Sequence, residues 1–357
     1  MAGRWVRDTM AMSIRVGFLG AGFIANVHAS LLQSCDVVRW AGVYDTDRNR
    51  TEAFAAKTGA TACGDEDEVL AGCDAVFICT WTSEHPRLVA KAAERGLAIF
   101  CEKPLATDLA GAGQMAEVVR RSGVVNQVGL VLRFSPAFCW LRELITDPTS
   151  GRVMSVVFRD DQYIPMQGMY KSTWRGDVAR AGAGALLEHS IHDVDILETL
   201  VGPVASVSGL SAEFHGIPGI EDVVNLSLSF ANGALGSLVS VWHDVLQRES
   251  SRYVEVICEN LWCAIDTDDW FGPVRWMRTG EEPGLLEGRE LGAAVWNAGL
   301  APVNPDQSFL DAVTEGRTLG PDFDSALRAH VVVDAAYRSA AQGGIPVAVP
   351  APTTTAS

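Results

Sequence analysis

Two histidines and three carboxylates are concentrated in one short segment of the sequence. Residues 186–197 read LLEHSIHDVDIL, and apolar residues flank the titratable ones on both sides. Histidine titrates near neutral pH, so such a cluster suits proton transfer. The same residue types could also hold a metal ion or lie on one face of an ordinary amphipathic helix. The rest of the chain has to distinguish these three possibilities.

The spacing of these residues predicts their arrangement on a helix. Glu188, His192 and Asp195 stand at i, i+4 and i+7, so on an α-helix they share one face. His189 is rotated towards the adjacent face, and its role stays open. Asp193 is expected to be a solvated or capping carboxylate. Asp195 could support the site from behind or tie the segment to the neighbouring domain.

A metal site in this segment is not favoured. Glu188, His189 and His192 offer mixed nitrogen and oxygen ligands, but one helix would have to aim adjacent side chains at a single ion. No second cluster of Cys or His with recognisable spacing supplies the missing ligands. We therefore predict that the site holds no metal.

A glycine-rich turn near the start of the chain is typical of dinucleotide binding. The strand-like run IRVGFL (14–19) leads into Gly20-Ala21-Gly22-Phe23-Ile24-Ala25, and a helical segment follows. The glycines let the backbone approach a pyrophosphate, and the helix points its first N–H groups at that anion. The next strand-like run ends in an acid, Asp45, which strengthens the prediction.

Asp45 favours NAD over NADP. Its carboxylate would bind the adenosine ribose hydroxyls and repel a 2′-phosphate. The alternative is an N-cap role for the helix that begins near Asp47. Arg48 keeps NADP possible, because an arginine there can stack on adenine or bind the additional phosphate.

The order of the elements around these residues predicts two domains. Over the first 130 residues, short apolar runs alternate with helical segments, which predicts a parallel sheet covered on both faces. Later strand-like runs follow one another with turn signals such as ANG at 231–233, which predicts an antiparallel sheet. The expected fold is an N-terminal Rossmann domain (13–135) and a C-terminal α+β domain with a large, mainly antiparallel sheet (136–350).

The composition excludes several classes of partner. The 357 residues carry a formal net charge of -16, which argues against nucleic acid and anionic membranes, because both need a basic face. No segment approaches the ~20 apolar residues of a membrane span. The eight cysteines form no C-x-x-C pair, which suits reduced thiols in a cytoplasmic protein. Residues 1–12 and 351–357 are expected to be disordered.

A triplet after the fifth strand-like run completes a set of motifs that resembles a known family. Cys101 is followed by Glu102-Lys103-Pro104. The glycine turn, this E-K-P triplet and a helix bearing acid-x-x-x-His, in that order, resemble the Gfo/Idh/MocA oxidoreductases over nearly the whole chain. The resemblance implies NAD(P)-dependent oxidation of a secondary ring hydroxyl of a sugar, sugar derivative or cyclitol, or reduction of the corresponding ketone.

The resemblance also implies roles for three residues. His192 would be the acid/base, and Lys103 would donate a hydrogen bond to the developing alkoxide while favouring the neutral histidine by charge repulsion. Glu188 stands where the family usually has aspartate. It would orient His192 or bind the substrate, and its extra methylene moves the carboxylate by roughly 1 Å.

Further residues are candidates around the cofactor and the substrate, some because they match the family, such as Thr80, His85 and Arg133, and some from the residues themselves. Trp81 departs from the family, which commonly has proline there. The cofactor-binding candidates are Gly20, Gly22, Phe23, Ile24, Asp45, Arg48, Thr80, His85, Glu102 and Lys103. The substrate candidates are Trp81, Arg133, Lys171, Trp174, Arg175 and His189. Tryptophan faces stack well on the C–H faces of sugar rings. For His85 and for both tryptophans, an ordinary structural role is the alternative.

Two other functions remain open. A glycosidase-like enzyme that uses bound NAD for transient oxidation and elimination would need the same site, but it would accumulate no NADH. A non-catalytic sensor of NAD or sugar would not depend on His192. In each case the antiparallel sheet would leave one face free, and with the resemblance this implies a homodimer or homotetramer.

Overall fold

The first sheet is the parallel one that the sequence predicts. The computed structural model describes residues 13–268, 270–300 and 304–352. The first six strands are β1 (Ile14–Leu19), β2 (Val38–Tyr44), β3 (Thr61–Ala62), β4 (Ala75–Ile78), β5 (Ala98–Cys101) and β6 (Asn126–Val128). They form one parallel sheet in the order β3-β2-β1-β4-β5-β6. This doubly wound order brings the carboxyl ends of β1, β2, β4 and β5 to a common edge.

The helices of this half begin at local signals in the sequence. They are α1 (Phe23–Leu32), α2 (Arg48–Thr58), α3 (Glu66–Gly72), α4 (His85–Glu94) and α5 (Leu109–Ser122). Asp47, Asp65 and Asp108 cap α2, α3 and α5 by accepting backbone N–H groups. α1 instead starts after Gly22, which has no side chain to cap it. Its first N–H groups therefore stay available for an anion.

The second sheet is large and mainly antiparallel, as predicted. Its strands are β7 (Val153–Tyr163), β8 (Val204–Ala212), β9 (Val223–Phe230), β10 (Leu235–His243), β11 (Ser251–Cys258), β12 (Leu261–Asp268), β13 (Gly272–Arg278), β14 (Gly284–Leu286) and β15 (Val347–Ala348). The order is β14-β13-β12-β11-β7-β10-β9-β8-β15, and β7 pairs with β10 in the parallel sense. β7 and β11 are therefore central strands, and their inward side chains are buried.

Helices cover one face of this sheet. They are α6 (Pro136–Thr146), α8 (Ile191–Val201), α9 (Gly288–Asn297) and α11 (Phe323–Ala341). Of the other two helices, α7 (Val178–Ala181) lies beside the loop after β4, and α10 (Pro305–Glu315) packs on the first sheet. Phe158 of β7 and Val254 of β11 share a buried cluster with Leu141 of α6 and Leu197 of α8. The alternation of buried and exposed residues along β9 follows from this one-sided covering.

Packing crosses the predicted domain boundary. Phe309 of α10 packs against Phe77 and Phe100 of the first sheet, with ring centroids 5.4 and 5.7 Å apart. Phe323 at the start of α11 belongs to the buried cluster beside β4 and β5. The chain thus returns to the first sheet after the second one is built, and the division at residue 135 stays a prediction. The ends predicted to be disordered are residues 1–12 and 351–357. Of these, residues 1–12 and 353–357 lie outside the described part.

Candidate active site

A cavity of about 590 Å³ lies between the carboxyl edge of the first sheet and the start of α8. Its size is in the range of small-ligand sites. Of the candidate residues, fourteen line it: Gly20, Gly22, Phe23, Ile24, Asp45, Thr80, Trp81, Glu102, Lys103, Trp174, Arg175, Glu188, His189 and His192. Four candidates are not among its lining residues: Arg48, His85, Arg133 and Lys171.

The glycine turn is shaped for close approach of a ligand. Gly20 has a φ of 91°, and a Cβ there would lie 2.4 Å from the carbonyl oxygen of Cys79. A Cβ on Gly22 would meet nothing within 4 Å, so the start of α1 faces open space. Phe23 is 50% exposed beside it. Uncapped N–H groups beside open space fit a pyrophosphate.

Asp45 supports this turn as well as lining the cavity. Its two carboxylate oxygens accept the N–H groups of Ala21 and Asp47, each at 2.8 Å. The N-cap of α2 is Asp47, so the capping alternative for Asp45 is wrong. Arg48 turns away from the cavity, because its guanidinium pairs with Glu52 at 2.8 Å on the following turn. The lining arginine of this helix is Arg50, which the sequence analysis missed.

Lys103 lies at the carboxyl end of β5 and faces the turn before α8. Its Nζ donates to the backbone carbonyl oxygen of Glu188 at 2.5 Å. Burial, together with the nearby Arg175 charge, lowers the pKa of Lys103 to about 8, while Glu188 and Glu102 oppose the shift. The ammonium is therefore within reach of titration near neutral pH.

His192 is the acid/base candidate at the start of α8. Burial lowers its pKa well below the ordinary value, and the charges of Lys103 and Arg252 act in the same direction. The imidazole is therefore neutral at pH 7 and can accept a proton. Its Nδ1 is buried and has no hydrogen-bond partner among the described residues.

The prediction of one α-helix over residues 186–197 is wrong. Ala185–His189 form a π-helical turn, and α8 begins only at Ile191. The carboxylate of Glu221 holds this turn, because it accepts the N–H groups of Gly184 and Leu186 at 2.7 and 2.9 Å. A residue distant in sequence therefore caps the start of the turn.

Glu188 is held by two residues at the wall of the cavity. Thr82 Oγ1 donates to one of its oxygens at 2.7 Å, and Arg175 Nε donates to the other at 3.0 Å. Within the described residues, no hydrogen bond joins its carboxylate to His192. Thr82 was missed by the sequence analysis, although it stands in the loop after β4, close to Thr80. Its hydroxyl had no sequence signal that pointed to Glu188.

The two remaining carboxylates of the segment have different places. Asp195 is buried and forms an ion pair with Arg133, with hydrogen bonds of 2.6 and 2.8 Å. It thus ties α8 to the turn that follows β6, and Arg133 is not among the residues that line the cavity. Asp193 is wholly buried and accepts Arg252 Nε at 2.8 Å. The expectation of a solvated or capping carboxylate is therefore wrong.

Other candidates divide between the cavity and its surroundings. The His85 ring is buried, with Nδ1 2.9 Å from the carbonyl oxygen of Pro104, so its structural alternative fits the geometry. Both tryptophans line the cavity and carry arginines on their faces. The Arg180 guanidinium lies 4.0 Å from the Trp81 ring centroid, and that of Arg175 lies 4.6 Å from the ring of Trp174.

A buried histidine behind Glu102 links the cavity to α10. His28 Nε2 lies 2.9 Å from Glu102 Oε1, and its Nδ1 lies 2.8 Å from Asp306 Oδ1. Burial alone lowers the pKa of His28, but the two carboxylates outweigh it and raise the pKa to about 10. His28 is therefore an imidazolium that holds Glu102 in place. The sequence analysis missed this contact, because 278 residues separate His28 from Asp306.

Replacing His28 with glutamine is expected to lower the free energy of unfolding by about 3 kcal/mol, because a buried charged network is broken. A histidine in the unfolded chain has a pKa of about 6.5. The stabilisation by the imidazolium is thus complete below about pH 6.5 and is lost as pH rises towards 10. Denaturant unfolding of wild type and His28→Gln, once below about pH 6.5 and once near pH 10, measures this stabilisation. An equal difference at both ends would contradict the charged state of His28.

Some classes of site are absent from the described residues. No group of three or more His, Cys, Asp or Glu side chains there could hold a metal ion. No helix in the described ranges is long and apolar enough to cross a bilayer.

Comparison with known proteins decides the family. Residues 14–130 match the oxidoreductase family with an NAD-binding Rossmann fold, and residues 138–262 match the GFO/IDH/MocA C-terminal domain. The chain belongs to the Gfo/Idh/MocA oxidoreductases. The resemblance that the sequence motifs suggested is confirmed, and so are the Rossmann domain, its cofactor NAD and the class of NAD-dependent oxidoreductase.

Several named proteins are similar to this chain. The scyllo-inositol 2-dehydrogenase (NAD(+)) of Bacillus subtilis is 33% identical over 239 residues, which are 64% of this chain and 67% of that protein. The inositol 2-dehydrogenase of Rhizobium meliloti is 29% identical over 350 residues, which cover 93% of this chain and 98% of that protein. A levoglucosan dehydrogenase in complex with NADH and levoglucosan shares the fold, with a TM-score of 0.83 and 22% identity over 95% of this chain and 99% of that one.

Proposed function

We propose that this Gfo/Idh/MocA oxidoreductase oxidises a secondary ring hydroxyl of a sugar, sugar derivative or cyclitol, or reduces the corresponding ketone. The observation that carries the proposal is the position of Lys103 and His192 in one cavity with the glycine turn. The names of the relatives, which include inositol 2-dehydrogenases, support this class of substrate. NAD, when bound, supplies the hydride acceptor.

The chain itself would manage the proton and the orientation of the alcohol. His192, neutral at pH 7, accepts the hydroxyl proton. The Lys103 ammonium donates a hydrogen bond to the substrate oxygen as negative charge develops on it, and the Glu188 carbonyl anchors that ammonium. The positive charge of Lys103 also keeps His192 unprotonated until the proton arrives. Glu188, held by Thr82 and Arg175, shapes the wall beside the reacting carbon.

A substrate screen tests the proposal. The protein is incubated with NAD and a panel that includes myo-inositol, scyllo-inositol, levoglucosan and common aldoses, and the absorbance of NADH is followed. Accumulation of NADH in proportion to substrate is the expected result. Turnover of a glycoside without net NADH would favour the glycosidase-like alternative instead. A biological effect that survives in the H192A variant would favour a sensor.

We predict that Asp45 sets the preference for NAD. In an Asp45→Asn variant the negative charge is lost, while one oxygen can still accept a backbone N–H group of the turn. The ratio of kcat/KM for NADP to that for NAD should rise on the order of 10-fold, because repulsion of the 2′-phosphate is removed. Arg48→Gln is the control, because Arg48 lies on α2, the helix that follows Asp45, but pairs with Glu52 and is not among the residues that line the cavity. An unaltered ratio in Asp45→Asn would count against this role.

We also infer a homodimer or homotetramer that forms through the open face of the second sheet. Val157 and Ile257 on the outward side of β7 and β11 are 38% and 41% exposed, and Glu255 pairs with Val157 across the strands. Such a partly apolar, uncovered sheet face suits contact with a second copy. Light scattering during gel filtration should give a multiple of 38.2 kDa. A monomer would refute this inference.

The eight buried thiols accord with the cytoplasm as the expected compartment.

A further inference from the structure

A buried group of charged side chains lies directly behind one wall of the cavity. His189 lines the cavity, and its Nε2 lies 2.7 Å from Asp160 Oδ2 on β7. Arg252 of β11 donates to Asp160 at 3.0 Å and to Asp193 of α8 at 2.8 Å. Three elements of the C-terminal domain therefore meet behind the imidazole of one residue in the pocket wall.

The contacts determine which nitrogen of His189 carries a proton. Burial lowers the pKa of His189 well below its usual value, and the Arg252 charge adds to the effect, so the ring is neutral. A neutral imidazole has one N–H group. Nε2 lies 2.7 Å from Asp160 Oδ2 and 3.2 Å from Arg252 Nη2. The shorter contact assigns the proton to Nε2, which donates it to the Asp160 carboxylate, and Arg252 Nη2 donates to the same carboxylate at 3.0 Å. Nδ1 is then left as a bare acceptor.

The protonation of Asp193 agrees with a proton on His189 Nε2. Burial and the adjacent Asp160 charge together raise the pKa of Asp193 to about 7, against the opposing effect of Arg252. Two neighbouring carboxyl groups in a dry interior do not readily ionise together, so Asp193 is the one that takes up a proton near neutral pH. With Asp193 as the protonated member, Asp160 remains the anion that receives His189 Nε2–H. Arg252 balances that single negative charge.

The free nitrogen of His189 is available to a ligand. The ring is 16% exposed, it lines the cavity, and no hydrogen bond within the described residues uses Nδ1. Lys103 and Arg175, which also line the cavity, can only donate hydrogen bonds. A neutral acceptor beside these donors prefers a group that can itself donate, such as a hydroxyl.

We propose that His189 is a specificity-determining residue whose unprotonated Nδ1 accepts a hydrogen bond from a second hydroxyl of the substrate ring. The proposal rests on the proposed function for the reacting hydroxyl. It narrows the substrate class to polyol rings that present at least two hydroxyls to the pocket. A ring with a keto, ether or methylene group at the second position leaves Nδ1 without a donor and binds more weakly.

The protonation state can be tested without any substrate. Protein labelled with ¹⁵N-histidine is studied by NMR near pH 7, with H189N used to assign the His189 signals. The expected spectrum shows a protonated Nε2 and an unprotonated Nδ1. A protonated Nδ1, or an imidazolium, would overturn the proposal. Because no turnover is required, this result is independent of whether the proposed function is correct.

The specificity is tested with myo-inositol and its monodeoxy and mono-O-methyl derivatives. In H189L, kcat/KM for the parent polyol should fall on the order of 10-fold, because one hydrogen bond is lost. One derivative lacks the hydroxyl that donates to His189 Nδ1. On that derivative, wild type and H189L should have the same low kcat/KM. H189N, which keeps a polar acceptor near the position of Nδ1, should recover part of the loss.

Controls separate this role from structural damage. NAD affinity should be alike in wild type, H189N and H189L, while H189L should melt at a lower temperature because the buried Asp160 carboxylate loses a donor. An equal loss in H189L on every derivative would overturn the proposal, because a general disturbance would then explain it. If no polyol in the screen reduces NAD, the proposed function fails and the substrate role of His189 fails with it, while the NMR result still decides the protonation state.

Discussion

Replacing Lys103 with methionine is expected to lower kcat by a factor on the order of 10² or more, while NAD still binds. Methionine keeps much of the length of the side chain but has no donor for the substrate oxygen. It also removes the charge that lowers the pKa of His192. Steady-state kinetics with the best polyol of the screen measures kcat. Quenching of protein fluorescence by NADH measures binding of the cofactor.

Two comparisons make the result specific to Lys103. Lys57→Met, a change of an exposed lysine near Asn26 and Ser30, should leave kcat unaltered. Lys103→Arg keeps a charge but not the compact ammonium, so it should stay well below wild type. Unchanged turnover in Lys103→Met would remove Lys103 from the catalytic site.

The pH dependence of kcat should also reflect the ionisation of Lys103. The pKa of Lys103 is lowered to about 8, so the ammonium is present below that pH and is lost above it. If the ammonium donates to the substrate oxygen, kcat for alcohol oxidation should decline as pH rises beyond about 8. In Lys103→Met this decline should be missing from the residual activity.

Replacing His192 with alanine should also reduce kcat on the order of 10²-fold or more, because the base that accepts the proton of the reacting hydroxyl is removed. Added imidazole should restore part of the activity by occupying the vacated space as a base. A matched control is His215→Asn, since His215 pairs with Asp222 and is not among the residues that line the cavity. If H192A retained full turnover, or if His215→Asn lost as much, His192 would not be the acid/base.

Much of the fold followed from local patterns in the sequence. The first sheet could be predicted because its strands are short apolar runs and its turn carries glycines at Gly20 and Gly22. The large sheet could be predicted from consecutive strands with turn signals. β13 and β14 were not predicted. β14 is the edge strand and has only three residues, too few to show a periodicity, and β13 lies between β14 and β12.

The site was predicted less evenly. Lys103 and Asp45 follow strands, so their place at the carboxyl edge could be expected from the order of elements. The segment around His192 was predicted wrongly, because the i, i+4 spacing suggested one continuous helix. Glu221 caps the start of a separate turn there, and no local pattern connects Glu221 with that segment.

The sequence alone determined the kind of protein: two sheets, a dinucleotide turn and the residue types needed to move a hydride and a proton. These features are local, since a strand, a glycine turn or an E-K-P triplet is set by neighbouring residues. Only the tertiary structure decided which charged residues pair with each other. Asp193 pairs with Arg252, 59 residues away, and His28 pairs with Asp306, 278 residues away. Such contacts exist only after the sheets have packed, and burial then determines which groups keep a proton.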